Sequence, residues 1–316
     1  MQNSSNPFLR INELLDFLEL KDVPGIDFSS DFPMRVPLSY AKKMQKGNPN
    51  DPLLRQVLPT LQEKIESEGF LKDPVGDTLA QKENGILQKY KHRILLIAGN
   101  TCSIRCRFCF RRNSKLLMPS NLPILLQEYL EKDSSIKEII FSGGDPFMTP
   151  ISVIEELIKK AIPAKAVRTI RFHTRVPITE PELAKTYLPL FEKYSERFHF
   201  VLVLHANHAQ EISNETTNLL KQFQNANVLL LNQSTLLKGV NDSAETLAEL
   251  SHTLFENGVL PYYLHLLDKA QGTAHFEVNE QDAKKIYHKL LTLLPGYLVP
   301  KMVRENQGEK SKTPVF

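Results

Sequence analysis

The sequence lacks a long hydrophobic run, because it contains no stretch of about 18 apolar residues that could cross a membrane. Its N-terminal stretch also lacks the basic segment and apolar core of a secretory signal peptide, so we expect a cytoplasmic protein. Charge of one sign is not in excess, since 39 lysines and arginines face 36 aspartates and glutamates, a net charge of +3. So weak a charge gives no reason to expect a nucleic acid partner. The apolar fraction of 41% and the charged fraction of 24% exclude disorder of the whole chain.

Cysteine is scarce, and its placement is informative. The chain has three cysteines, and Cys102, Cys106 and Cys109 form a single C-x3-C-x2-C run. No other cysteine exists to pair with them, which excludes a disulfide framework. Three thiolates so close together suit zinc, with a histidine as a fourth ligand, or an iron–sulfur cluster. A cluster held by three cysteines leaves one iron open to a small molecule, and the spacing alone does not decide between the two.

From residue 93 onward, apolar runs rich in β-branched residues alternate with helical periods. The strand ends lie about 30 residues apart, which is typical of the βα repeat of a parallel sheet. The predicted strands are 93–98, 138–142, 169–173, 198–205, 228–232, 260–265 and 297–303, and predicted helices include 12–20, 151–162, 180–194, 243–256 and 281–293. About six such units favour a closed or partly closed (β/α) barrel, and a doubly wound open sheet is the alternative.

Polar residues follow each predicted strand, where a parallel barrel binds its ligands. They are Asn100 with Cys102, Gly143-Gly144-Asp145, His173-Thr174-Arg175, His205 with Asn207, Asn232-Gln233-Ser234, and Asp268. One polar residue in such a position would carry no weight. A polar residue after every strand predicts a shared site at the barrel mouth.

The segment from Cys102 to Cys109, CSIRCRFC, resembles the radical S-adenosylmethionine signature C-x3-C-x-aromatic-C, with Phe108 as the aromatic residue. Further stretches resemble the lysine 2,3-aminomutases: FPMRV at 32–36, NPN at 48–50, RILLI at 93–97, FRR at 110–112, FSGGDP at 141–146, NQS at 232–234, GVND at 239–242 and PYY at 261–263. The resemblance covers nearly the whole chain. It implies a partial (β/α)6-type TIM barrel of the radical S-adenosylmethionine class at 91–303, an N-terminal helical extension at 1–90, and a C-terminal tail at 304–316.

The resemblance also implies three cofactors. Cys102, Cys106 and Cys109 would hold a [4Fe–4S] cluster, whose open iron would chelate S-adenosylmethionine. The residues implied to contact S-adenosylmethionine are Gly143, Gly144, Asp145, Arg175, His205 and Gln233. Pyridoxal 5′-phosphate would form a Schiff base with Lys312, and Arg93 and Lys89 would bind its phosphate. Because a Schiff-base lysine must be held firmly, we expect the tail to fold back over the barrel mouth, anchored by residues 313–316.

The substrate implied by the resemblance is L-lysine, converted from the α- to the (R)-β-isomer. Arg111 matches the arginine that binds the substrate carboxylate, and a planar guanidinium suits a bidentate grip. Asp268 and Glu305 match the two carboxylates that bind the distal ammonium. Glu305 is one methylene longer than the family's aspartate.

The C-terminal ending and the segment 297–301 resemble the branch that supplies (R)-β-lysine for modification of translation elongation factor P. That branch implies a functional link to elongation factor P and its lysyl ligase, and an electron donor such as flavodoxin or ferredoxin. Three alternatives stay open. They are a stand-alone aminomutase acting on lysine, glutamate or arginine, a degenerate member that binds pyridoxal phosphate without turnover, and a non-enzymatic zinc-binding module.

Overall fold

Ten strands form one sheet in which every strand lies next to its neighbours in sequence. The structure, a computed structural model, describes residues 7–315. The strands are β1 Gln81–Glu83, β2 Ile86–Leu87, β3 Arg93–Ile97, β4 Glu138–Ser142, β5 Thr169–Thr174, β6 His199–Leu204, β7 Leu229–Thr235, β8 Leu260–His265, β9 Lys301–Arg304 and β10 Thr313–Pro314. Strands β3 to β9 run parallel, whereas β1, β2 and β10 pair antiparallel at the two edges.

Most of the helices connect the parallel strands. They are α1 Ile11–Phe17, α2 Leu38–Ala41, α3 Pro52–Arg55, α4 Asp77–Ala80, α5 Leu122–Lys132, α6 Ile151–Ala161, α7 Val176–Thr179, α8 Pro181–Lys185, α9 Leu188–Tyr194, α10 Asn214–Asn225, α11 Ala244–Glu256 and α12 Glu280–Leu293. The last three begin at side-chain caps from Ser213, Ser243 and Asn279, each of which accepts a hydrogen bond from a backbone N–H of the first turn.

The predicted partial barrel is confirmed, because the sheet is mostly parallel and its strands follow the order of the sequence. A doubly wound sheet would reverse its strand order at a switch point, and this sheet does not. Within the described residues no hydrogen bonds join β1 to β10, so the barrel is not closed. No helix in residues 7–315 is both long enough and apolar enough to span a membrane.

Proline explains two of the differences between the predicted elements and the structure. The single helix predicted at 180–194 is divided into α8 and α9, because Pro189 lies in the first turn of a new helix. Proline has no N–H to donate and clashes with the preceding turn, so it begins a helix better than it continues one. The strand predicted at 297–303 begins only at Lys301. A 3-10 turn occupies Gly296–Leu298, and Pro300 separates it from β9.

The segment before the barrel packs against the loop that carries the three cysteines. Arg107 lies between two of these cysteines and is fully buried. Its Nε donates to Glu63 at 2.8 Å, and its Nη1 donates to the carbonyl oxygen of Phe32 at 2.7 Å. The backbone N–H of Arg107 donates to the carbonyl oxygen of Gln56 at 2.8 Å. The cysteine loop is therefore held from outside the barrel, while the domain boundaries at 90 and 303 stay predictions.

Candidate active site

The carboxyl ends of the parallel strands open onto a cavity of about 360 Å³. This volume lies within the range of small-molecule sites. Every residue given an individual role from the sequence lines it: Lys89, Arg93, Cys102, Cys106, Cys109, Arg111, Gly143, Gly144, Asp145, Arg175, His205, Gln233, Asp268, Glu305 and Lys312. Asn100, Asn207 and Asn232, which were also expected at the barrel mouth, are not among the lining residues. The structure thus brings together residues that are far apart in sequence, from Lys89 before β3 to Lys312 in the C-terminal tail. Their individual roles stay predictions.

The three thiols lie on the loop that follows β3. We call the part of the cavity that Cys102, Cys106 and Cys109 line the thiol end. All three side chains are partly buried, and burial raises the pKa of the Cys109 thiol to about 11. In residues 7–315, no three His, Cys, Asp or Glu side chains gather around one point that could hold a single metal ion. Three thiol sulfurs on one loop are a donor set that an iron–sulfur cluster takes.

Gly143 and Gly144 follow β4 and press against the loop after β3. A Cβ on Gly144 would lie 2.5 Å from the carbonyl oxygen of Thr101, and one on Gly143 would lie 2.7 Å from that of Gly99. Gly143 also has a φ of 114°, in the region that favours glycine. We predicted these glycines as points of close approach to a cofactor. In the structure, the backbone next to the cysteines leaves no room for a side chain at either position.

Asp145, predicted to accept from the cofactor amine, already has partners within the protein. Its Oδ1 accepts from Thr174 Oγ1 at 2.6 Å and from the backbone N–H of Phe147 at 3.0 Å. Its Oδ2 accepts from the backbone N–H of Arg175 at 2.7 Å. These contacts tie the turn after β4 to the end of β5.

Arg175 is buried, and its guanidinium reaches the cysteine loop. Its Nη1 donates to Cys106 Sγ at 2.8 Å, while its Nη2 contacts Glu211 at 2.8 Å and Gln56 at 2.6 Å. Glu211 is fully buried. Burial alone would raise the pKa of Glu211, but the charge of Arg175 holds it below its usual value. In the structure Arg175 fixes the position of Cys106, which the sequence did not indicate.

His205, directly after β6, and Gln233, within β7, line the cavity. The His205 ring lies 5.4 Å from that of Phe108, and its buried Nε2 has no partner within the described part of the chain. Burial lowers the pKa of His205 to about 4, so its imidazole is neutral near pH 7. The strand predicted to end at Asn232 continues to Thr235, and an irregularity in pairing falls between Asn232 and Gln233. Both residues therefore lie within β7, not after it.

Lys312 lies on the tail that adds β10 to the sheet. It lines the cavity together with Asp77, Lys89 and Glu305, and we call this part of the cavity the charged end. Thr313 pairs with Arg304, and the backbone N–H of buried Val315 donates to Met302 at 3.0 Å. The tail thus folds back onto the barrel; Phe316, part of the predicted anchor, lies outside the described residues. Lys312 Nζ donates to Glu305 Oε2 at 2.7 Å and lies 5.6 Å from the centre of the Tyr263 ring.

Asp77 forms ion pairs with two of the cations predicted from the sequence, Arg111 and Lys89. Arg111 Nε donates to its Oδ2 at 2.7 Å, and Lys89 Nζ lies 2.9 Å from its Oδ1. Burial would raise the pKa of Asp77, but Arg111 and Lys89 together hold it below its usual value. Arg111 also donates to Ser142 Oγ at 3.0 Å and approaches the carbonyl oxygen of Gly143 at 3.4 Å. Arg111 therefore links the charged end of the cavity to the thiol end.

Known proteins resemble this chain over most of its length. The L-lysine 2,3-aminomutase of Escherichia coli K12 is 40% identical over 312 residues, which are 96% of this chain and 90% of that protein. That of Haemophilus influenzae is 40% identical over 306 residues, 94% of this chain and 90% of that protein. The chain belongs to the lysine 2,3-aminomutase family. It is therefore an isomerase.

A more distant aminomutase relative is the enzyme of Clostridium subterminale, 30% identical over 90% of this chain and 68% of its own. No family model matches the sequence. A chain described as native anSMEcpe with bound AdoMet has a TM-score of 0.48 and 14% identity over 63% of this chain and 58% of its own. A radical SAM methyltransferase from Sphaerobacter thermophilus has a TM-score of 0.46 and 14% identity over 69% and 68%.

Some residues of this aminomutase-family cavity were not predicted. Asp77 begins the short helix α4, and nothing in its sequence context pointed to the site. Arg171 and Tyr263 also line the cavity. A signal for these two existed, because alternate residues of a strand face the same side. Arg171 precedes His173 by two residues, and Tyr263 precedes His265 by two. The buried Nε of Arg171 has no partner among residues 7–315.

Proposed function

We propose that the protein is a radical S-adenosylmethionine enzyme that moves the amine of L-lysine from carbon 2 to carbon 3, giving (R)-β-lysine. Family membership supports an aminomutase. The observation that carries the proposal is that one cavity gathers three thiols, the Lys312 amine, the Arg93 guanidinium, and the carboxylates of Asp268 and Glu305. These are the groups that a cluster, an aldehyde cofactor, its phosphate and a diamine substrate each require.

The thiol end suits the [4Fe–4S] cluster and S-adenosylmethionine. Cys102, Cys106 and Cys109 would hold the irons, and Arg175 keeps the Cys106 sulfur in position. The neutral imidazole of His205 and the amide of Gln233 offer polar contacts beside it. When bound, these cofactors supply a radical that abstracts hydrogen, and pyridoxal phosphate carries the migrating amine.

The charged end suits pyridoxal phosphate and the amino acid. Lys312 would attach the aldehyde of the cofactor. Arg93 makes no ion pair within residues 7–315 and lies 5.2 Å from the centre of the Tyr90 ring, so its charge is available to a phosphate. Lys89 adds a second cation. Arg111, oriented by Asp77, would bind the substrate carboxylate.

The direct test is product formation under anaerobic conditions. The reconstituted protein, with S-adenosylmethionine, pyridoxal phosphate and a reductant, should convert L-lysine to β-lysine. The preparation should be brown and contain iron and sulfide. A colourless protein loaded with zinc and without activity would contradict the proposal. Turnover of glutamate or arginine in place of lysine would contradict the substrate.

We further propose that the product serves the modification of elongation factor P through its lysyl ligase, with flavodoxin or ferredoxin as the electron donor. The resemblance of segment 297–301 to that branch supports this link. Deletion of the gene in its host should leave elongation factor P without the β-lysyl group, as measured by the mass of the purified factor. An unchanged mass would contradict this role and leave the aminomutase activity untouched.

A further inference from the structure

Residues from the segment before the barrel reach the guanidinium of Arg175. Tyr40 in α2 and Gln56, directly after α3, are both fully buried. Arg175 Nη2 donates to Gln56 Oε1 at 2.6 Å and to the Tyr40 hydroxyl at 3.1 Å. It also donates to Glu211 Oε2 at 2.8 Å, and the side chains of this ion pair are only 6% and 0% exposed. One nitrogen of Arg175 is therefore held by three acceptors.

Glu211 and Gln56 are themselves fixed by further contacts. Glu211 Oε1 accepts from the backbone N–H of Asn207 at 2.9 Å and from Gln56 Nε2 at 3.2 Å. Gln56 Oε1 also accepts from Asn207 Nδ2 at 3.0 Å. The backbone carbonyl oxygen of Gln56 accepts from the N–H of Arg107, the residue after Cys106. Gln56 thus holds both the backbone of the cysteine loop and the arginine that reaches its sulfur.

The second terminal nitrogen of Arg175 points at Cys106. Nη1 donates to the Cys106 sulfur at 2.8 Å, and among residues 7–315 it has no other hydrogen-bond partner. A guanidinium is planar and always charged, so the contacts that fix Nη2 also fix the direction of Nη1. The buried network therefore aims a permanent positive charge and an N–H group at one thiol of the predicted cluster site.

Hydrogen bonds to the ligand sulfurs set part of the reduction potential of an iron–sulfur cluster. Reduction adds one electron, which makes the cluster more negative. A cationic N–H donor at a ligand sulfur therefore stabilises the reduced form more than the oxidised form and raises the potential. Burial strengthens this effect, because little water is present to screen the charge of Arg175.

Resting on the proposed function, we propose that Glu211 and Gln56 are positioning residues that hold Arg175 against the Cys106 sulfur, and that this hydrogen bond raises the reduction potential of the cluster. The contacts of Nη2 fix the arginine, and the contact of Nη1 transmits its charge to the sulfur. The segment before the barrel, which contributes Gln56, thereby helps the cluster to accept one electron from a flavodoxin or ferredoxin.

A redox titration of the reconstituted full chain tests the hydrogen bond. Dithionite supplies the electrons, S-adenosylmethionine is left out, and electron paramagnetic resonance measures the reduced cluster. The double variant Arg175→Met/Glu211→Gln removes the whole ion pair, so no buried charge loses its partner. At the midpoint potential of the wild type, its ratio of reduced to oxidised cluster should fall by about tenfold, which is a shift of about 59 mV toward more negative potential.

Gln56→Met tests the contribution of the segment before the barrel without changing any charge. Arg175 loses one acceptor of Nη2 but keeps Glu211, so the same ratio should fall by about threefold. The midpoint potential of this variant should therefore lie between those of the wild type and the double variant. A midpoint potential equal to that of the wild type would show that Gln56 does not act through Arg175.

The matched control is Arg107→Met/Glu63→Gln. Arg107 and Glu63 also form a buried ion pair on the cysteine loop, but the Arg107 side chain donates to no cysteine sulfur within the described part of the chain. This variant should keep the ratio within about twofold in the cluster that it binds. Iron analysis and thermal unfolding accompany each titration. A merely structural role of the Arg175 contacts would lower iron content or stability and leave the potential unchanged.

Two outcomes would overturn the inference alone. Either Arg175→Met/Glu211→Gln keeps the midpoint potential of the wild type, or the control shifts it by as much. If the double variant binds no cluster, Gln56→Met carries the comparison, and its unchanged potential would overturn the inference. In these cases the wild type still binds its cluster, and the proposed function stands. A wild type that binds no iron and sulfide would overturn the proposed function together with this inference.

Discussion

The two ends of the cavity are held by different kinds of interaction. At the thiol end, neighbouring backbone fixes the loop, since Gly143 and Gly144 leave no room for a side chain and Arg175 reaches Cys106 from a buried network. At the other end, ion pairs run from Arg111 through Asp77 to Lys89 and Glu305. The thiol end also has ion pairs, between Arg175 and Glu211 and between Arg107 and Glu63, but these are almost fully buried. The ion pairs of the other end are more exposed, and the Lys89 side chain is 20% exposed. Under the proposed function, the cluster would be held at the first end and the amines would exchange at the second.

The largest expected effect is on the thiol end. Cys106→Ala should remove most of the bound iron and sulfide and abolish cleavage of S-adenosylmethionine, because a cluster held by three cysteines loses a ligand. Iron and sulfide analysis after anaerobic reconstitution checks this. Normal iron content in this variant would show that the thiol end does not hold the cluster.

Lys312→Ala is expected to impair only the function of the charged end. It should lose aminomutase activity and the absorbance of covalently held pyridoxal phosphate, while keeping the iron of the wild type. Lys310→Ala is the matched control, since Lys310 is exposed and two residues away, and it should change neither. Borohydride reduction and peptide mapping decide the site. A pyridoxyl label on Lys310, or on no lysine of the tail, would contradict the assignment.

Gly144→Ala tests whether steric packing holds the thiol end. Its Cβ would lie 2.5 Å from Thr101, so the loop must shift, which we expect to lower the free energy of unfolding by about 1–3 kcal/mol and to reduce iron content. Gly296→Ala is the control, because nothing lies within 4 Å of its Cβ position. Equal stability and iron content in the two variants would contradict the claim that steric packing holds the thiol end.

Sequence predicted the thiol end more completely than the charged end. The three cysteines are local in sequence, and the strands that frame them have the repeat of a parallel sheet. The partners of the charged end are distant, since Glu305 and Tyr90 are 215 residues apart and Arg111 and Asp77 are 34 apart. No periodicity links such positions. Asp77 was therefore missed, and so were the contacts of Glu305 with Tyr90 and Lys312.

Asp77→Asn tests the ion pairs with a smaller change to the side chain. It keeps the shape of the side chain but removes the charge that orients Arg111 and Lys89. We expect the KM for lysine to rise by about tenfold, with a smaller change in kcat, because the charge of Asp77 supports substrate binding more than the chemical step. The iron content should not change. A loss of iron equal to that of Cys106→Ala would mean that the two ends are not separate.

The smallest expected effect is a dependence of lysine binding on pH. The pKa of Asp268 is raised to about 7 in the absence of substrate, so below pH 7 its carboxyl is mostly neutral and must release a proton to bind an ammonium. Affinity for lysine should therefore increase as the pH rises from 6 to 8, by up to about tenfold per pH unit below the pKa. Calorimetry at several pH values checks this. A wild-type profile as flat as that of Asp268→Asn would contradict the assignment of Asp268.

The most direct measurement of the central claim follows one hydrogen atom through the cavity. Lysine deuterated at carbon 3 would be supplied to the anaerobic protein with all three cofactors. If the thiol end generates the radical and the charged end holds the substrate beside it, mass spectrometry should find deuterium in 5′-deoxyadenosine and in the β-lysine formed. Cleavage of S-adenosylmethionine without transfer of deuterium from lysine, and without β-lysine, would contradict the account.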